Sequence, residues 1–578
     1  MNREDRSRHR WVVRLAAMIA FVCMGPACLL VAGPTGVSPG SQVDKIFAQW
    51  DKPRSPGCAV AVIQTGSIIY KRGYGIADLD HDIPITPTTV FHAGSLAKQF
   101  TAMSIMLLVE DGRLSLDDDV RSLVPQLSMF NTRITVADML HHVSGIRDQW
   151  TLATMAGWRL SDDVITRDDV LNFVSRMKSL NFRPGDQYLY SNTGYTLAAG
   201  IVERLSGQPL ADFAHDRIFQ PLGMTHTGFA KTHGTIVENR AYGYRNGTDQ
   251  PFEIRMPNYD LTGPTNLLTS VEDLALWDRN FDDKTVGGDF ALSQMQTPAT
   301  LSNGDKVPYG LGLMVSNYKG LQVVEHDGRD AGYRSHLMRF PDQHFAVACL
   351  CNLALPDDNL PGKLARRIAE IYLADQLVPD APSQDPGVHQ APPPMAGAYW
   401  NSSTESLAQV LVVVPGLLHK LCFPSRIPMP DEDCQVLLPL GGNRFKWGGR
   451  PAEAEISRSG GSAPAQLRFT AEGARTLVFD AMPPATLADL AKYTGRFYSH
   501  EIDTAYTIAV QGPSLAIVRH KYPVIYLEPV FRDAFAMSDF SAVLPFGIVR
   551  FTRDAGGRVA GLLVSGGRTR SFEFSATP

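Results

Sequence analysis

Net charge is small. The 578 residues carry 54 Lys and Arg against 59 Asp and Glu, a formal −5, and no basic stripe runs through them. A protein that binds phosphates in series needs such a stripe, so nucleic acid and other polyanions are excluded as partners on charge grounds. Cysteine is also scarce, at seven residues. No Cys/His spacing resembles a zinc site, and the adjacent His141 and His142 diverge on any regular element. Cys349 and Cys351 lie two apart in an apolar strand-like run, where they share one face and read as small core residues rather than a bridge. Cys422 and Cys434 can pair across a short loop in an oxidising compartment, which the sequence leaves open.

Apolar residues are plentiful at 44%, enough for a full core and, at this length, two to four domains. Arg3, Arg6, Arg8, Arg10 and Arg14 precede an apolar stretch from Leu15 to about Val31, broken at Gly25-Pro26 and followed by Pro34-Thr35-Gly36. Basic, apolar and small residues in that order read as a secretory signal over residues 1–33, and hence a secreted or periplasmic protein. An uncleaved membrane anchor is the alternative, because the run approaches the minimum span of about 17 residues. Cys28 lacks the large apolar residue three places earlier that a lipidated cysteine requires.

Thr65-Gly66 separates the β-rich runs Cys58–Ile63 and Ser67–Tyr70, which predicts a hairpin. The stretch Phe91-His92-Ala93-Gly94-Ser95-Leu96-Ala97-Lys98-Gln99-Phe100 opens a helix expected from about Ser95 to Glu110, stopped by Asp111-Gly112. Being apolar nearly all round, that helix belongs in the middle of a domain. From about Asp117 to Asn280 the pattern is mostly helical, with helices expected over Thr135–Leu140 and Thr193–Leu205. Runs at Tyr309–Ser316, Leu321–Glu325, Tyr333–Phe340 and His344–Cys351 predict an antiparallel sheet, and Leu364, Ile368, Ile371 and Tyr372 a closing amphipathic helix. Strands at both ends with helices between them indicate an α/β or α+β domain over residues 41–376, its antiparallel sheet flanked by helices and assembled from both ends. A Pro, Asp and Gln-rich stretch makes 377–394 a linker. Beyond it Met395-Ala396-Gly397-Ala398-Tyr399-Trp400 is echoed by Tyr493-Thr494-Gly495-Arg496-Phe497-Tyr498, so two small antiparallel β-barrel domains are expected, over 395–482 and 483–578.

Single motifs identify nothing here. Ser-x-x-Lys occurs at Ser95, Ser175 and Ser316, Tyr-x-Asn at Tyr190, Tyr244 and Tyr399, and His-x-Gly at His92, His226 and His326. Order and setting separate one of each. Ser95 stands where a glycine turn meets a buried helix, Tyr190-Ser191-Asn192 follows a loop and precedes an apolar helix, and His326-Asp327-Gly328 follows a strand. On a helix three residues advance ~4.5 Å and turn ~300°, so the Lys98 ammonium can reach the Ser95 hydroxyl. Partial burial lowers a lysine pKa, which makes Lys98 one candidate base; a Tyr190 phenolate held by Lys98 is the other. Asn192 offers an amide to hold a substrate carbonyl and orient Lys98, and the helix start offers N–H donors to an oxyanion.

These residues resemble the three motifs of the penicillin-recognising serine hydrolases, a family that includes class C β-lactamases, D-Ala-D-Ala carboxypeptidases, D-aminopeptidases and related esterases. Met139–Ile146 and Asn266–Ala275 resemble two further segments of the family, and five segments agree in order. The resemblance implies a serine β-lactamase-like catalytic domain that uses Ser95, Lys98, Tyr190, Asn192 and His326 without metal or organic cofactor. It places a second oxyanion N–H at Arg329, after Gly328. His326 stands where β-lactamases have lysine, a variant similar to D-aminopeptidases, which also carry two C-terminal barrels. In those enzymes a loop of the last barrel brings an acidic group to the substrate's free ammonium. The corresponding stretch is expected near Val518-Arg519-His520-Lys521, which is basic, and Arg519 and His520 are therefore the candidate substrate contacts. The implied substrates are small amides, esters or short peptides with a D-residue, as in cell-wall fragments. A β-lactamase or short-chain esterase of the same fold and a non-catalytic muropeptide binder are the alternatives.

Overall fold

The computed structural model describes residues 38–160, 162–354, 360–378, 395–414, 418–423, 434–448, 452–457, 465–471, 475–485, 489–519, 523–537 and 547–577. The expected signal segment, most of the expected linker and His520 lie outside them.

A six-stranded antiparallel sheet is built from both ends of the first unit, in the spatial order Met314–Tyr318, Leu321–Asp330, Tyr333–Phe340, Phe345–Cys351, Cys58–Gln64, Ser67–Tyr74. Its central strands divide their side chains by the two-residue pleat. Ala59, Ala61, Ile63, Ala346, Ala348 and Leu350 face the main helical core. Val60, Val62, Phe345 and Val347 face helices Pro39–Phe47 and Leu360–Tyr372 on the other side. Both faces are covered, which explains why Phe345–Cys351 is buried at every position and reads as an unbroken apolar run. Helix Ala97–Glu110 is buried from Ala97 to Leu108, as its all-round apolarity implies, and a 3₁₀ turn over Gly94–Leu96 leads into it.

Two sequence expectations are corrected. The run Tyr309–Ser316 is a strand only from Met314, because Gly310 and Gly312 turn the chain; Gly312 has φ +74°, and a Cβ there would lie 2.6 Å from the Lys98 carbonyl oxygen. Cys351 is no free core residue: it is bonded to Cys58, its register partner on the neighbouring strand, and among the described residues only Cys349 stays a buried thiol. Spacing along one strand says nothing of what lies across the ladder. Cys422 and Cys434, likewise cross-strand partners, are also joined. The Cys58–Cys351 bridge spans a separation of 293 residues. Its removal by Cys58→Ala with Cys351→Ala is expected to cost about 2–4 kcal/mol. Scanning calorimetry should register this as a lower unfolding temperature for the catalytic unit.

The rest of the chain forms two closed eight-stranded barrels, one opening at Gly397–Asn401 and the other at Gly495–Ser499, the two strands that echo each other in sequence. The first packs Tyr399, Phe423, Trp447, Phe469 and Phe479 inside itself. The second continues the apolar core of the catalytic unit. Along that seam the Tyr506 hydroxyl donates to the Met155 carbonyl at 2.8 Å, and the buried Arg147 pairs with Glu501 at 2.9 Å beneath the Phe572 ring. Both side chains of that pair are almost fully buried, so truncating either one would leave an uncompensated charge in the seam.

Candidate active site

Strand Phe91–His92 pairs with Leu267–Thr269 and delivers the chain to a tight turn at Gly94, where φ is +54°. The turn is pressed onto the strand that carries His326. A Cβ on Gly94 would lie 2.8 Å from the backbone nitrogen of Arg329, and one on Gly328 would lie 2.0 Å from the Ala93 carbonyl oxygen. The Ser335 hydroxyl donates to that same carbonyl at 2.7 Å. Glycine at 94 and 328 thus lets two backbones touch, and the Arg329 N–H comes to rest beside the turn that holds Ser95.

One helical turn on, Lys98 is fully buried with Nζ 3.0 Å from Ser95 Oγ, 2.9 Å from Asn192 Oδ1 and 2.8 Å from the Pro264 carbonyl oxygen. Nζ also lies 4.8 Å from the centre of the Tyr190 ring. Burial pushes the Lys98 pKa well below the ordinary lysine value, and the nearby Arg568 cation pushes it further in the same direction. Burial pushes the Tyr190 hydroxyl well above the ordinary phenol value, against the smaller opposing pull of the Arg568 cation. Tyr190 is therefore a neutral phenol at rest, not the phenolate offered as a second base. Of the two candidates, the environment favours the Lys98 amine.

Asn192 is oriented from behind by Asp148, which accepts from its backbone N–H at 2.7 Å and from Nδ2 at 2.8 Å and so turns Oδ1 toward Lys98. The same carboxylate caps helix Gln149–Met155. His326 is buried at the sheet edge. Its Nδ1 lies 2.6 Å from the Asp327 carbonyl, which can only accept, so Nδ1 carries the proton and Nε2 accepts from the Tyr309 hydroxyl at 3.0 Å. Burial holds its pKa down at about 4. His326 is therefore neutral at physiological pH and offers no charge to a substrate carboxylate.

The structure thus brings together Ser95, Lys98, Tyr190, Asn192, His326, Gly328 and the Arg329 amide. Arg519 goes elsewhere: its guanidinium is directed at the Thr154 carbonyl, 3.4 Å away, and at the Tyr506 ring on the domain seam. Among the described residues, the last barrel brings the basic Arg568 to the cleft, from a different hairpin, with its guanidinium 4.5 Å from the centre of the Tyr190 ring. Sequence reading missed it, and also Asp148 and His142, whose ring lies 4.1 Å from that of Tyr190 and whose Nδ1 accepts the Ser191 N–H. Asp148 has a local signal as an acidic N-cap, but nothing local ties it to Asn192.

Behind the turn Asp330 accepts from the Thr265 hydroxyl, and burial pushes its carboxyl up to about 8 from 3.8. The folded state then holds a proton that the unfolded chain releases between those values, so this group makes stability fall as pH rises from about 4 to 8. Asp330→Asn is expected to flatten that fall, with a larger gain in melting temperature at pH 8 than at pH 5. Melts across that range measure the difference.

Residues 43–372 match the Beta-lactamase family. The D-aminopeptidase of Gluconobacter oxydans strain 621H is 27% identical over 459 residues, spanning 79% of this chain and 82% of its own. The D-aminopeptidase of Brucella melitensis biotype 2 is 25% identical over 549 residues, 90% of this chain and 96% of its own. Among solved structures, the octameric penicillin-binding protein homologue from Pyrococcus abyssi superposes with a TM-score of 0.53 at 21% identity, covering 84% of this chain and 99% of that one, a likeness of fold.

Proposed function

Since the chain belongs to the Beta-lactamase family and is a serine hydrolase of that fold, we propose that it cleaves small amides and short peptides of D-amino acids through an acyl-enzyme on Ser95. The observation that carries this reading is Lys98, buried and pKa-depressed, 3.0 Å from the Ser95 hydroxyl. As Oγ attacks the scissile carbonyl, its proton passes to the Lys98 amine. The oxyanion is held by the N–H groups of Ser95 and Arg329. The Tyr190 phenol, whose ring lies beside Lys98, passes a proton to the leaving nitrogen and takes one from Lys98 in exchange. Water then repeats the path on the ester. The D-stereochemistry is supported by the two D-aminopeptidases, whose similarity is too long to be confined to the catalytic unit. A secreted or periplasmic location is supported by the two disulfides, which persist in oxidising compartments, and cell-wall fragments supply D-residues there.

The test is a panel of D-Ala and L-Ala p-nitroanilides, nitrocefin and p-nitrophenyl acetate. The D-anilide should exceed the L-anilide by at least about tenfold in kcat/KM, the span of one differential contact. Equal rates on the two enantiomers would refute the stereochemical reading, and a higher kcat/KM on nitrocefin would favour a β-lactamase. The acid limb of the pH profile should lie below the ordinary lysine value, because the base must be unprotonated and its pKa is depressed.

A further inference from the structure

We propose that the Ser95 cleft selects substrates bearing a carboxylate beside the scissile bond, and that Arg568 is the specificity-determining residue that binds it. The inference rests on the hydrolase reading above and names its substrate class.

Arg568 sits in the turn between strands Val559–Gly566 and Thr569–Thr577 of the second barrel. Its backbone is clamped to the catalytic unit: the N–H donates to Thr151 Oγ1 at 3.3 Å, and the carbonyl accepts from Asn181 Nδ2 at 3.1 Å. The next clamp is the Arg570 N–H, donating to Asn181 Oδ1 at 2.9 Å. A backbone held this way delivers the guanidinium to one place without further ordering cost. That place is the Tyr190 ring, which also has Lys98 Nζ 4.8 Å from its centre, and Lys98 Nζ is 3.0 Å from Ser95 Oγ, so the cation stands close to the nucleophile.

The acid nearest to Arg568 does not use up its hydrogen-bonding capacity. Asp148 Oδ2 lies 3.5 Å from Arg568 Nη1, farther than the four N–H groups that Asp148 accepts, from Asn192 N and Nδ2 and from Trp150 and Thr151. A guanidinium has five N–H donors in a fork that fits a carboxylate. The Arg568 side chain is 25% exposed and Asp148 only 1%, so the cation, not the acid, faces the cleft. The other acid of the site, Asp327, has the Arg329 side chain 3.6 Å away. A substrate ammonium at this point would meet the Arg568 cation, whereas a carboxylate would meet an unsaturated guanidinium.

The test compares D-Ala p-nitroanilide carrying a free ammonium, an N-acetyl cap or an N-succinyl cap, and N-acetyl-D-Ala-D-Ala beside its C-terminal amide. These arms place the carboxylate on the acyl side or on the leaving side. Wild type should prefer one carboxylate arm over its neutral counterpart by about 10- to 100-fold in kcat/KM, as expected of a charge-assisted hydrogen bond. Arg568→Gln should erase that ratio and Arg568→Glu should turn it toward the ammonium substrate; the ratio cancels any loss common to all substrates. A ratio unchanged in both variants, or a wild-type preference for the ammonium, would overturn the proposal. Calorimetry of N-acetyl-D-alanine and N-acetyl-D-alaninamide on Ser95→Ala, with and without Arg568→Gln, reads the same preference without turnover. Equal affinities there overturn it even if no anilide is cleaved, whereas cleavage with no charge preference leaves the hydrolase reading intact and removes this one alone.

Discussion

Lys98→Met should lower kcat on a D-aminoacyl anilide by about 10⁴- to 10⁶-fold, the cost of removing one member of a nucleophile–base unit. Ser95→Ala should cost as much, and the double variant no more than either, because each residue is useless without the other. The introduced methionine would fill nearly the volume of the lysine stem and place no amine against Asn192, Pro264 and Ser95. The Asn192 Oδ1 and the Pro264 carbonyl lose their donor, a cost of about 1–3 kcal/mol each that the relief of burying a titratable group offsets. Single-turnover kinetics with intact-mass detection of an acyl adduct distinguish the two variants. The serine variant forms none, and the lysine variant forms it slowly. Residual activity above about 1% in either would mean that another residue activates the hydroxyl.

Gly328→Ala is expected to cost more than about 10²-fold in kcat/KM, the penalty for displacing a reacting group by about 1 Å. The added Cβ would lie 2.0 Å from the Ala93 carbonyl oxygen and 2.1 Å from Ser335 Oγ. The backbone oxygen has little room to yield, so the strand must part from the turn before Ser95 and carry with it the Arg329 N–H proposed for the oxyanion. Overpacking of this kind should also lower stability by about 1–3 kcal/mol. Gly200→Ala is the control: it lies inside helix Asn192–Ser206 with nothing within 4 Å of a new Cβ, and should gain about 0.5–1 kcal/mol. Urea melts and kcat/KM on the same preparations separate the two effects.

The parts of the site legible in sequence were those encoded within a turn or two of chain. Ser95 and Lys98 are neighbours on one helix, and the strand–turn–helix setting marked them out from two chance repeats of the same spacing. Tyr190 and Asn192 could be chosen because the helix Asn192–Ser206 begins there, and the two barrels because their first strands echo each other. What escaped was tertiary. The partner of Cys351 is decided by which strand closes the sheet, and Asp148 acquires its hold on Asn192 only when two helices meet. Arg519 and Arg568 are both basic and both follow strands of the same barrel. Only the docking of that barrel shows which of them reaches the Tyr190 ring.

Asp148 and Arg568 meet across 420 residues of chain, the longest kind of contact to form, because every intervening loop must already be closed. Nucleophile and base come together within the first unit, whereas the guanidinium beside Tyr190 arrives only when the barrel settles on helix Gln149–Met155. A substitution that loosens the seam is therefore expected to spare the chemistry proposed for Ser95 and Lys98 and to weaken the charge preference proposed for Arg568.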